Sequence, residues 1–253
     1  MLAPRFTPGA SVTALGPGWH LQTPPGPAGA YRLAQVDDYT RLPRARFPYT
    51  PATRLSLRAR VSAAGLPGTW GFGFWNDPFA LSSGLGGTAR RLPSLPQAAW
   101  FFHASPENYL SLRNDKPAAG FLAATLSSPA VPSLLLAPGL LGAPLLFSPR
   151  LAQGLRNLGG RIVREDAGLL ETDPTDWHAY RLDWHARAVE FYVDDRLLFE
   201  TKTSPKGPLG LVIWIDNQYA AFTPAGKLAA GALENNATAW LELEDVSARS
   251  LAE

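Results

Sequence analysis

Trp177-His178-Ala179-Tyr180-Arg181-Leu182-Asp183-Trp184, followed after four residues by Val189-Glu190-Phe191-Tyr192-Val193-Asp194-Asp195-Arg196, is the stretch that decides the fold. Tyr180, Leu182 and Trp184 alternate with Arg181 and Asp183, the period-two pattern of a strand with one face in an apolar core and the other polar. Asp194-Asp195 stands between Phe191-Tyr192-Val193 and Arg196-Leu197-Leu198-Phe199, where a two-residue turn closes a hairpin.

The same signature recurs on both sides of this hairpin. Short runs of β-branched and aromatic residues separated by Pro, Gly, Asn and Asp predict strands over Arg54–Ser62, Trp70–Asn76, Ala98–Ala104, Tyr109–Leu112 and His178–Trp184. Further strands are predicted over Ala188–Val193, Leu197–Thr201, Leu209–Ile215 and Ala239–Ala248. An all-β chain of 253 residues with 8 Trp, 12 Phe and 7 Tyr has the length and the apolar material for one large sandwich domain. Two segments depart from the pattern. The Pro- and Gly-rich lead-in over residues 1–30 reads as loop with one edge strand at most. Residues 117–149 carry no charged side chain, and their six prolines forbid a membrane-spanning helix, so an apolar insertion of loops and short helices is expected over 117–165. Within it, Leu151, Leu155, Leu158 and Ile162 recur at helical spacing.

Several function classes are excluded or disfavoured by composition. A net charge of +2 from scattered residues supplies no field for a phosphate backbone, so nucleic acid is not expected as a partner. The absence of cysteine removes disulfides, thiolate nucleophiles and zinc–thiolate sites. The histidines are too scattered for a zinc site, and no cofactor or metal is expected: neither a nucleotide fingerprint nor a Ser–His–Asp order is present, and Asp37, Asp38 and Asp245 lack the spacing of a calcium loop. The amino-terminal residues lack the apolar run of a secretory signal, which makes a cytoplasmic location the expectation.

The Trp177–Trp184 and Val189–Arg196 segments resemble the paired strands of family-16 glycoside hydrolases and related concanavalin A-like lectin/glucanase domains. Thr69–Trp75, Pro208–Trp214 and Trp240–Val246 resemble, in order, further strands of that superfamily. The resemblance implies an antiparallel two-sheet jelly-roll sandwich with one sheet forming a cleft. Catalytic members carry Glu-x-Asp-x-x-Glu on the strand after the one like Thr69–Trp75, so that alternation sets the carboxylates on one face. Here that strand is Gln97-Ala98-Ala99-Trp100-Phe101-Phe102-His103-Ala104-Ser105, with no carboxylate, and a retaining glycosidase mechanism is not expected.

Alternation also nominates a site. Trp70, Phe72 and Phe74 should face the core, leaving Gly71, Gly73, Trp75 and Asp77 on a face where glycine gives room for approach. Val212, Trp214, Asp216 and Gln218 should share that face, and Ala99, Phe101 and His103 are placed with them. The expected ligand-binding residues are Trp75, Phe101, Trp214, Gln218 and Tyr109, with His103, Asp77 and Asp216 as candidate catalytic acid and base groups. Three functions fit this set: binding of an apolar or mixed aromatic–polar small molecule under an apolar lid formed by the insertion, acid/base chemistry of isomerase, cyclase or lyase type, and saccharide binding without hydrolysis. Contact of the insertion with a membrane surface or a second copy is a further reading.

Overall fold

The computed structural model describes residues 2–78, 91–132 and 148–251. Its sixteen strands, numbered in chain order, form two seven-stranded sheets and one hairpin. The first sheet runs, in spatial order, β1 (Ala3–Phe6), β4 (Leu33–Asp37), β13 (Gly210–Asp216), β6 (Thr69–Trp75), β7 (Ala98–Ala104), β8 (Gly120–Ser127) and β9 (Arg164–Leu169). The second runs β12 (Arg196–Thr201), β11 (Val189–Val193), β10 (His178–Trp184), β5 (Thr53–Val61), β16 (Ala239–Ser250), β3 (Gly18–Thr23) and β2 (Ser11–Leu15). All strand pairings within these sheets are antiparallel, and β14 (Gln218–Phe222) pairs with β15 (Leu228–Ala232) as a separate hairpin. One α-helix lies among the described residues, α1 (Pro149–Ile162), together with a single 3-10 turn at Arg44–Arg46.

The deciding segment folds as its pattern requires. Tyr180, Leu182 and Trp184 point between the sheets with Leu55, Leu57, Phe191 and Val193. Asp194 and Asp195 both adopt positive φ, at 48° and 62°, the geometry of a primed two-residue turn that Asp tolerates better than most residues. From the first sheet, Trp70, Phe72, Phe74, Leu211, Ile213 and Ile215 pack against them. Edge-to-face contacts cross the interior, with Phe101 lying 5.1 Å from Tyr180 and 5.2 Å from Phe191 between ring centroids.

Two expectations about organisation are corrected. The lead-in supplies three strands in place of one, β1 at the edge of the first sheet and β2 with β3 at the edge of the second. Edge strands tolerate what a central strand does not, and Pro4 sits within β1, paired only on the β4 side. The apolar insertion begins with a strand and not with loops: Gly120–Ser127 is β8, hydrogen-bonded to β7 and β9. It reads as an uncharged run because both of its faces are covered, Phe121 facing the sandwich interior and Leu122 the opposite side. Residues 133–147, the centre of the expected lid, lie outside the described residues.

Candidate functional site

The first sheet is apolar on both faces. On the face turned away from the sandwich interior, β6, β7 and β13 bring together Trp75, Trp100, Phe102 and Trp214. Trp100 is the hub, with ring centroids 5.9 Å from Trp75, 5.3 Å from Phe102 and 5.5 Å from Trp214. Trp75 and Trp214 are each 8% exposed and Phe102 is 7% exposed, while Trp100 is half-buried and offers the accessible ring of the group. Gly71 and Gly73 allow this packing. A Cβ at Gly71 would stand 2.4 Å from the Phe101 carbonyl oxygen and 2.9 Å from the Trp214 ring, and one at Gly73 would stand 2.5 Å from Cα of Trp100. The room that glycine leaves is therefore filled by neighbouring tryptophans and is not an open floor.

A polar chain leaves this cluster at the far end of β13. The Trp214 indole Nε1 donates to Thr69 Oγ1 at 2.9 Å, and Thr69 Oγ1 donates to Asp216 Oδ1 at 2.8 Å. The backbone amides of Thr69 and Gln218 donate to the same oxygen at 3.3 and 3.2 Å, and the Tyr31 hydroxyl donates to Oδ2 at 3.3 Å. Burial pushes the Asp216 carboxyl up to about 6, against the pull of these four donors, which favour the ionised form. Tyr31 is pushed up as well, first by burial and then by the Asp216 charge, so it remains a donor. Asp216 is thus a buried carboxyl with a raised pKa at the end of the strand that carries Trp214.

The other predicted site residues fall elsewhere. Phe101 and His103 face the sandwich interior, because β7 alternates with Ala98, Trp100, Phe102 and Ala104 outward and Ala99, Phe101 and His103 inward. His103 stacks on Trp70 at 5.4 Å and 11°, its Nε2 donates to the Leu66 carbonyl at 3.3 Å, and its Nδ1 has no hydrogen-bond partner among the described residues. Burial pushes its imidazole below the usual histidine range. The imidazole therefore pairs with neither Asp77 nor Asp216, contrary to the expected acid/base pair. Asp77 is fully buried at the end of β6 in an ion pair with Arg91, whose guanidinium also donates to the carbonyls of Tyr39 at 2.6 Å and Leu42 at 2.7 Å. That pair ties the loop after β4 to β6, which is a structural task. Gln218 reaches the site through its backbone, and Tyr109 lies under the Arg156 guanidinium beside β14, away from the aromatic cluster. Trp100, Thr69 and Tyr31 were missed by the sequence reading. Trp100 was legible, since it shares a period-two face with Ala98 and Phe102, whereas Tyr31 and Thr69 meet Asp216 only through the tertiary fold.

Comparison with solved structures agrees with this architecture. The legume lectin-like domain from Entamoeba histolytica superposes with a TM-score of 0.50 at 9% identity, over 98% of this chain and 89% of that one. LamAcat from Zobellia galactanivorans gives a TM-score of 0.51 at 12% identity, over 94% of this chain and 80% of that one. The fold is concanavalin A-like, of the lectin and glucanase type. A LamA variant from the same organism, in complex with laminaritriose and laminaritetraose, gives a TM-score of 0.50 at 14% identity over the same shares of the two chains. No family model matches the chain, and no curated protein matches its sequence. No helix among the described residues is long and apolar enough to cross a membrane.

Proposed function

We propose that this concanavalin A-like domain binds a small ligand, without hydrolysing it, at the Trp75–Trp100–Phe102–Trp214 face. The observation that carries this reading is the half-buried Trp100 ring set among three buried aromatic rings, with Asp216 and Tyr31 at one end. An aromatic wall with a few convergent polar groups favours a ligand that is apolar or aromatic over most of its surface and carries one hydrogen-bonding group. The outward positions of β7 bear Ala98, Trp100, Phe102 and Ala104, which leaves no carboxylate there to attack a glycosidic bond. The test is a thermal-shift and tryptophan-fluorescence screen with hydrophobic and aromatic compounds, run below and above the Asp216 pKa of about 6. Stabilisation that depends on pH across that value, and that Trp100→Ala removes, supports the reading; no compound raising the melting temperature overturns it.

A saccharide is the second reading. It is favoured by the half-buried Trp100, since sugar rings stack on accessible indoles, and by the fold shared with a protein solved in complex with laminaritriose and laminaritetraose. Retention on a laminarin affinity gel, lost in Trp100→Ala, supports it. Free passage of the wild-type protein through glucan and galactan gels counts against it.

A further inference from the structure

Helix α1 is turned opposite to the usual orientation of an amphipathic helix. Its apolar residues Leu151, Leu155, Leu158 and Ile162 are 50%, 43%, 51% and 38% exposed, while Arg156 is 1% exposed. At about 100° per residue these four side chains fall within an arc of about 60°, one continuous apolar stripe along the helix. The orientation is fixed by Arg156. Its guanidinium donates to the Phe222 carbonyl at 2.8 Å, Asn114 Oδ1 at 2.8 Å and the Ser111 carbonyl at 3.0 Å, and it lies over the Tyr109 ring. Each bond is to a neutral acceptor, so the buried guanidinium is satisfied by hydrogen bonds and not by a carboxylate, and these bonds hold the helix with its stripe outward.

Charge identifies what the stripe faces. Pro149–Arg164 contains no Asp or Glu, and its exposed cations Arg150, Arg161 and Arg164 have no carboxylate partner among the described residues. Arg150 and Arg161 project about 100° to one side of the stripe, on the same flank. Pairing two copies stripe to stripe in antiparallel fashion would bring these arginines together across the contact, and no carboxylate of the helix would offset them in a parallel pair. An anionic lipid surface, by contrast, takes the leucines into its acyl boundary and the guanidinium groups at its phosphates. We propose that α1 docks the domain, lying flat, on an anionic membrane surface.

The experiment is co-sedimentation of the full chain with vesicles of phosphatidylcholine alone and of roughly one part phosphatidylserine to two parts phosphatidylcholine. Binding about ten-fold stronger to the anionic vesicles, falling as salt is raised, is expected. Leu155→Gln/Leu158→Gln and Arg150→Gln/Arg161→Gln should each weaken it about ten-fold, with far-UV circular dichroism unchanged because all four side chains are exposed. Should the leucine pair fail to fold, Leu155→Ala alone replaces it and is held to the same direction of change. The proposal is overturned if the wild-type protein does not sediment with anionic vesicles, or if the leucine variant binds them as well as wild type. It is equally overturned if size-exclusion chromatography shows a dimer that the leucine variant abolishes while no lipid is bound, which would make a second copy the occupant.

Discussion

The two faces of β7 carry similar side chains and have different fates. Inward, Ala99 and Phe101 are 0% exposed, Phe101 is held by rings from both sheets, and His103 is stacked on Trp70. Outward, Ala98, Trp100 and Phe102 lean on Trp75 and Trp214, with Trp100 half-buried and a titratable group, Asp216, at the end of β13, two strands away across β6. The inner face is a packing problem already solved. The outer face combines aromatic area with an accessible ring and a polar terminus, and such a combination is what a binding surface needs.

That contrast can be broken by substitution. Phe101→Ala should cost about 3–5 kcal/mol in urea unfolding, because it opens a cavity where Phe72, Tyr180 and Phe191 meet, whereas Trp100→Ala on the other face should cost well under half of that. Equal costs would mean the outer face is core in the same sense as the inner one.

Asp216 sharpens the comparison through pH. Its carboxyl rises from 3.8 to about 6 on folding, so between those values the folded state binds more protons than the unfolded one. Stability should therefore fall as pH rises through that window, by an amount on the order of 2–3 kcal/mol, and stay level above it. Asp216→Asn should remove this component from the pH dependence of the melting temperature. An unchanged profile would show that the carboxyl is not desolvated and would weaken the case for a site there.

Gly71→Ala sets a methyl group 2.4 Å from the Phe101 carbonyl and 2.9 Å from the Trp214 ring, and should destabilise by about 1–3 kcal/mol with a shift in tryptophan emission. Unaltered emission would mean that Trp214 does not close over β6. The smallest effect is expected for Trp100→Phe, which should change stability by less than about 1 kcal/mol while weakening ligand-induced quenching.

Many strands of the two sheets were legible in the sequence, whereas β4, β8 and β9 were not among those expected. Ala98–Ala104 and His178–Trp184 have the predicted bounds, and the Asp194-Asp195 turn stands where its two positive φ angles are required. Tyr109–Leu112 was not a strand: Tyr109 makes a single bridge to Ala221, the Ser111 carbonyl accepts from Arg156, and the Leu112 backbone N–H donates to Glu165. The short strands β1 and β2 were missed because edge strands need neither the length nor the apolar alternation that marks a central one, while β3, paired with both β2 and β16, was hidden by the Pro- and Gly-rich sequence around it.

What the sequence determined by itself is the class of fold and the lack of a carboxylate on β7, because period-two alternation and residue identity are local properties. Which face of β7 turns inward was decided only by the tertiary structure: alternation fixes that neighbours point oppositely, and carries no sign when both faces are apolar. The same limit applies to Asp216, whose raised pKa comes from burial and whose donors Tyr31 and Thr69 lie far from it in the chain. It applies again to α1, where the leucine spacing predicts an apolar stripe but the four neighbours of Arg156 decide that the stripe faces outward. Periodicity is written in the chain; direction comes from the partners that folding brings to each face.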